Sequence, residues 1–185
     1  QPTTADAGFD QTLCNDPGVF VTGNTPVFGT GDWSIITGPV GSTIITAGTV
    51  GTINGPSGVY TLRWSISNPP CVDSFDDVVV TLNEPATIAN AGIDQTFCQG
   101  STTSVTLSGN TAVVGTGGWF VMAQPAGSPA VVFSDPNSPT STASNLTFVG
   151  TYRFGWAIVN PPCNPSFDDM DVIITTPSIA GTING

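Results

Sequence analysis

Chemistry in this 185-residue chain would have to come from carboxylates and thiols. Thirteen Asp and Glu residues stand against two arginines, Arg63 and Arg153, with no lysine and no histidine, for a formal net charge of −11. The carboxylates recur in two motifs. Asp10 and Asp94 open Asp-Gln-Thr-x-Cys, while Asp76-Asp77 and Asp168-Asp169 close Ser-Phe-Asp-Asp. Clustered hard oxygens with no cation beside them would suit calcium at Asp10, Asp76, Asp77, Asp94, Asp168 and Asp169. The alternative is the ordinary turn role of aspartate, one carboxylate capping backbone N–H groups while its neighbour faces water. Neither segment has the dense Asp-x-Asp-x-Asp spacing of a dedicated calcium loop, and no other cofactor is expected. The four cysteines, Cys14, Cys71, Cys98 and Cys163, show no Cys-x-x-Cys spacing. Without histidine to help bind zinc, they point to disulfides and an oxidising, extracellular setting.

The same inventory argues against catalysis. No histidine or lysine exists to activate a serine or cysteine. A two-carboxylate glycosidase needs its acids in a cleft, whereas these sit in turns and at strand starts. With two cations in the whole chain, phosphate neutralisation has nothing to work with, so nucleic acid is not expected as a partner. Anionic membrane surfaces should repel the chain, and no apolar run approaches the roughly 20 residues of a membrane helix. Arg63 and Arg153 read as solvated or paired with a surface aspartate. Asn145-Leu146-Thr147 is the one Asn-x-Ser/Thr match without proline, a candidate glycosylation site for which no modification is the favoured reading.

The elements that must position these groups come in two copies. "ADAGFDQTLC" (5–14) returns as "ANAGIDQTFC" (89–98), "GNTPVFGTGDW" (23–33) as "GNTAVVGTGGW" (109–119), and "GVYTLRWSISNPPC" (58–71) as "GTYRFGWAIVNPPC" (150–163). The units expected are 1–85 and 86–177, with 178–185 starting a linker or a third copy, because "TPSIAG" resembles the junction "EPATIAN". Inside each unit the apolar period is two. Tyr60, Leu62, Trp64 and Ile66 alternate with polar residues, as do Tyr152, Phe154, Trp156 and Ile158 with their neighbours. Trp33 and Trp119 fall where a third strand would add a central aromatic, so the expected core holds Trp33, Tyr60, Trp64, Trp119, Tyr152 and Trp156. Phe75 and Phe167 are expected to plug the core beneath the Pro-Pro-Cys turns, and most other phenylalanines to point inward. Short strands separated by Gly, Pro, Asn and Asp clusters, about 85 residues per unit, predict an all-β chain of two tandem immunoglobulin-like antiparallel sandwiches.

The combination AxAGxDQTxC, GNT, GTGxW, GxYxxxW and a closing DDVxVT strand resembles the tandem Ig-like or PKD-like repeats of giant secreted surface proteins of Bacteroidota. "FSDPNSPTSTASNLTFVGTYRF" (133–154) is especially similar, and the first unit departs from the pattern at "STIITAGTVGTINGPSG" (42–58). The resemblance implies an extracellular, cell-surface structural repeat of an adhesin, stalk or filament, with neighbouring copies as partners and a surface glycan or protein as a further candidate ligand. A ligand- or carbohydrate-binding accessory module of a secreted enzyme is the alternative, and it would require three or more exposed coplanar aromatics.

Two cysteine pairings stay open. Cys14–Cys71 with Cys98–Cys163, each within a repeat, is the simplest. In an immunoglobulin-like topology, however, those cysteines fall at opposite ends of a sandwich, roughly 25 Å apart along a strand, while a disulfide needs Cα atoms within about 7 Å. Head-to-tail stacking favours Cys14–Cys163, leaving Cys71 and Cys98 for the preceding and following copies.

Overall fold

The computed structural model describes residues 1–15 and 19–177, so the expected linker at 178–185 lies outside the described residues. The described residues form two compact units, 1–85 with 161–164, and 86–160 with 165–177. The division at Pro85/Ala86 falls at the junction read from the repeats, but the second Pro-Pro-Cys turn goes with the first unit.

In the first unit the strands are β1 (Gln11–Cys14), β2 (Val19–Thr22), β3 (Thr30–Thr37), β4 (Thr43–Ala47), β5 (Val50–Asn54), β6 (Gly58–Ser67) and β7 (Ser74–Asn83). They form one sheet in the order β1-β7-β6-β3 and a second in the order β2-β5-β4. The second unit repeats the set as β8 (Gln95–Cys98), β9 (Ser104–Thr106), β10 (Thr116–Ala123), β11 (Val132–Phe133), β12 (Thr142–Ser144), β13 (Gly150–Val159) and β14 (Ser166–Thr175). Its sheets run β10-β13-β14-β8 and β11-β12-β9. The first strand pairs parallel to the last in both units, Gln11 opposite Val80 and Gln95 opposite Val172, while the other pairings are antiparallel. The segment where the first unit departs from the repeat pattern forms the β4–β5 hairpin, turning at Gly48 with φ +64°.

Each core draws on both sheets. In the first unit Val19, Val21 and Ile53 meet Trp33, Tyr60, Leu62, Trp64, Ile66, Val78, Val80 and Leu82. In the second, Val105, Leu107 and Ala143 meet the inward residues of β10, β13 and β14. All six expected core aromatics are buried. The tryptophans pack as tilted pairs, Trp33 with Trp64 at 5.3 Å and Trp119 with Trp156 at 5.0 Å. Tyr60 donates its hydroxyl to the Pro56 carbonyl four residues back, and Tyr152 accepts from Phe148 N–H at the same spacing. That corner in the sixth strand is a recurring feature of immunoglobulin-like sandwiches.

Two expectations about phenylalanine are corrected. Phe75 and Phe167 do not plug the core; they are 59% and 52% exposed. Strand parity decides it: Val78, Val80 and Leu82 point inward, so Phe75, an odd number of residues away, must point outward. Nor do most other phenylalanines point inward, since Phe9, Phe20, Phe28, Phe120 and Phe148 are exposed as well.

Candidate functional site

The repeated motifs converge on the N-terminal half of the last strand of each unit. In the first unit the lead-in to β1 lies against the start of β7. Ala5 N–H donates to Ser74 Oγ at 2.9 Å, Ala7 N–H to Asp76 Oδ2 at 2.8 Å, and Val79 N–H to Asp10 Oδ1 at 2.8 Å. The second unit reproduces all three: Ala89 N–H to Ser166 Oγ, Ala91 N–H to Asp168 Oδ2, and Asp171 N–H to Asp94 Oδ1, at 2.8, 2.8 and 2.9 Å. Asp6 and Asn90 close the intervening turn by accepting the N–H of Gly8 and Gly92 at 2.9 and 2.8 Å. The alanines are buried. Ala-x-Ala-Gly-x-Asp is thus a clamp in which side-chain oxygens of one segment satisfy backbone donors of the other, as buried amides require.

The six aspartates expected as calcium ligands divide between two structural roles. Asp10, Asp76, Asp94 and Asp168 each accept a backbone N–H, and Asp77 and Asp169 face arginines. Among the described residues no group of three or more His, Cys, Asp or Glu side chains is placed to hold a metal ion.

The arginine pairs show how the copies diverged. Arg63 lies across the ladder from Asp77, and its Nε and Nη2 donate to both carboxylate oxygens at 2.7 and 2.8 Å. Its guanidinium also stacks 3.9 Å above the Phe75 ring centroid, a favourable cation–π geometry. In the second unit Gly155 occupies the place of Arg63, and Arg153 instead lies across from Asp171 with bonds of 2.8 and 2.9 Å. Cation and anion have both moved two residues along one sheet face, and Asp169 remains 3.4 Å from Arg153. The vacated place is filled by Phe120, which covers Gly155 and lies 6.3 Å from Phe167. The hydrogen bond from Arg63, aided by its charge and opposed by partial burial, holds the Asp77 carboxyl below its usual range. Arg153 does the same for Asp171, and both arginines are raised in turn. Sequence reasoning missed these registered pairs because it takes the cross-strand register to show that Arg153 and Asp171 had moved together.

The cysteines sit at opposite ends of the last strand. Cys14 is across from Asn83 at the end of β7, whereas Cys71 precedes Ser74 at its start; Cys98 lies across from Thr175, and Cys163 precedes Ser166. Ten residues of strand put roughly 30 Å between the two members of each repeat, too far for either within-repeat bond. Cys14 is bonded to Cys163, with Cα atoms 4.8 Å apart, and Cys71 and Cys98 are exposed free thiols. The prolines before each turn cysteine, Pro69-Pro70 and Pro161-Pro162, are joined by cis peptide bonds. Asn145 is exposed in a left-handed conformation, φ +70°, its amide donating to the Ala130 carbonyl at 2.9 Å.

No family model matches the chain, and no curated protein matches it. Among solved structures it is similar to the insect immune protein hemolin at 13% identity, over 95% of this chain and 47% of that one, with a TM-score of 0.54. The PKD domain of the KIAA 1837 protein aligns at 26% identity over 51% of this chain and 91% of that domain, with a TM-score of 0.41. The tandem Ig repeats of Dlar align at 9% identity over 95% and 98% of the two chains, with a TM-score of 0.36. The hemolin likeness agrees with the strand topology: the chain is all-β, two tandem immunoglobulin-like sandwiches. It spans about half of the hemolin chain. Among the described residues no helix is long and apolar enough to cross a membrane.

Proposed function

We propose that this chain is a non-enzymatic extracellular structural repeat of a bacterial surface adhesin, stalk or filament, acting as a rigid, protease-resistant building block. The observation that carries the reading is the Cys14–Cys163 disulfide, which ties the opening strand of the first sequence repeat to the Pro-Pro-Cys turn of the second across 149 residues. A bridge closing so long a loop removes much of the unfolded chain's freedom, a stabilisation of about 2–5 kcal/mol. Resistance to basic-residue proteases is supported from the sequence side. The two arginines lie mid-strand in hydrogen-bonded ladders and are paired to carboxylates, so cleavage needs local unfolding first. The test is electron microscopy of the producing cells with gold-labelled antibody to this chain. Label along extracellular fibres is the expected result; label confined to the cell interior or to a compact secreted enzyme would overturn the proposal.

One feature favours a second reading, a ligand- or carbohydrate-binding accessory module. Phe120 and Phe167 are 41% and 52% exposed on one sheet face, tilted 31° to each other. Two rings are fewer than the three coplanar aromatics such a platform would need. Electrophoretic retardation by an embedded polysaccharide, abolished by Phe120→Ala, would establish it.

A further inference from the structure

Cys71 and Cys98 hold the same places in the repeat as the two cysteines that are bonded. Cys98 matches Cys14 (98 − 14 = 84), and Cys71 matches Cys163 (163 − 71 = 92). The match is geometric as well as sequential. Both opening strands run parallel to the last strand in one register, and the residue after each cysteine donates its N–H to the same carbonyl, Asn15 to Asn83 and Gln99 to Thr175, both at 2.8 Å. Both turn cysteines follow a cis Pro-Pro pair. The two positions differ in engagement: Cys163 is bonded and 7% exposed, whereas Cys71 is exposed beside a cleft of about 520 Å³ lined by Gln1, Pro2, Thr4 and Pro70. Around Cys163 the sulfur lies 3.3 Å from the Glu84 carbonyl oxygen, just past the end of β7. The matching neighbour of Cys71 would be the end of another repeat's last strand.

We infer that Cys98 of one copy of this chain forms a disulfide with Cys71 of the next, by the rule that joins Cys14 to Cys163, so that copies are laced head to tail through alternating equivalent bonds. The inference rests on the extracellular reading above for its oxidising surroundings. The chemistry is thiol–disulfide exchange with a small-molecule disulfide. The Cys98 thiolate attacks one oxidant sulfur and expels the other as a thiolate, and the Cys71 thiolate of the second copy then attacks the Cys98 sulfur and expels the remaining one. Two thiols are oxidised, one oxidant disulfide is reduced, and the two protons released are taken up by the two departing thiolates.

Two single variants test this without relying on the natural assembly. Cys71→Ser retains only Cys98 as a free thiol, and Cys98→Ser retains only Cys71; both positions are exposed, so the folds should survive. The variants, one of them isotope-labelled, are mixed in equal amounts in oxidised and reduced glutathione, and the covalent dimers are counted by intact mass. The expected result is mixed Cys98–Cys71 dimer in excess over each homodimer by about tenfold, the ratio given by roughly 1.4 kcal/mol of preference. Homodimers in statistical proportion, or no covalent dimer at all, would overturn the inference. Because the experiment uses purified chains, it can fail while antibody label still marks surface fibres, and the reverse is equally visible.

Discussion

At the scale of single residues, the Gly-Thr-Gly-x-Trp motif is explained by two separate demands. Its first glycine, Gly29 or Gly115, takes φ of +103° or +94°, a region that side chains disfavour. Its second, Gly31 or Gly117, lies flat against the ring of Trp64 or Trp156, where an added Cβ would collide with the indole. Gly117→Ala should therefore destabilise the second unit by about 1–3 kcal/mol through overpacking. The adjacent Gly118→Ala, whose Cβ would meet nothing closer than 3.9 Å, should stay within about 0.5 kcal/mol of the parent; paired urea melts would separate them. The arginine pair gives a pH prediction. Asp171 is held below its ordinary carboxyl range by its hydrogen bond from Arg153. Its contribution is complete above the unfolded value of about 3.9 and is lost as pH falls through the lower folded value. The thermal advantage of the parent over Asp171→Asn should thus be present at pH 6 and close as the acid range is entered; a gap constant down to pH 2 would refute this origin. At this scale the sequence was read correctly for the tryptophans and wrongly for Phe75 and Phe167. The parity that points them outward was available from Val78 and Val80, but the position under a turn looked like a plug.

At the scale of elements, the last strand of each unit is where the repeat spends its polar side chains. Asp168 and Ser166 satisfy two N–H groups of the incoming segment, and Asp94 returns a bond to the strand. Asp168→Ala would leave the Ala91 amide without its acceptor, at about 1–3 kcal/mol. Hydrogen exchange should show faster exchange at Ala91, with the Gly150–Val159 ladder protected as before. These commitments also bear on calcium: millimolar calcium should leave the melting temperature unchanged, and a rise of several degrees would mean that the carboxylates regroup around an ion. Strands and their alternation were legible because period-two patterning and a duplicated sequence reinforce one another. What the acids do was less legible. A carboxylate's partner here is a backbone amide tens of residues away, and sequence spacing does not reveal which amide arrives. The shift of the ion pair by two residues was hidden for the same reason, since register is a property of paired strands.

At the scale of the whole molecule, the decisive question is which cysteine holds which. Reading the topology placed Cys14 and Cys71 at opposite ends of one sandwich, and the positions of Asn83 and Ser74 in β7 show why a bond within the repeat would have to span that strand. The two arginines happen to cut the chain between its cysteines. Trypsin would release 1–63 with Cys14, 64–153 with Cys71 and Cys98, and 154–185 with Cys163. The most direct measurement is therefore tryptic digestion of the alkylated, unreduced, urea-unfolded protein, read by mass spectrometry. The Cys14–Cys163 bond predicts 1–63 joined to 154–185, with 64–153 outside that pair. All three fragments joined through Cys14–Cys71 and Cys98–Cys163 would contradict it.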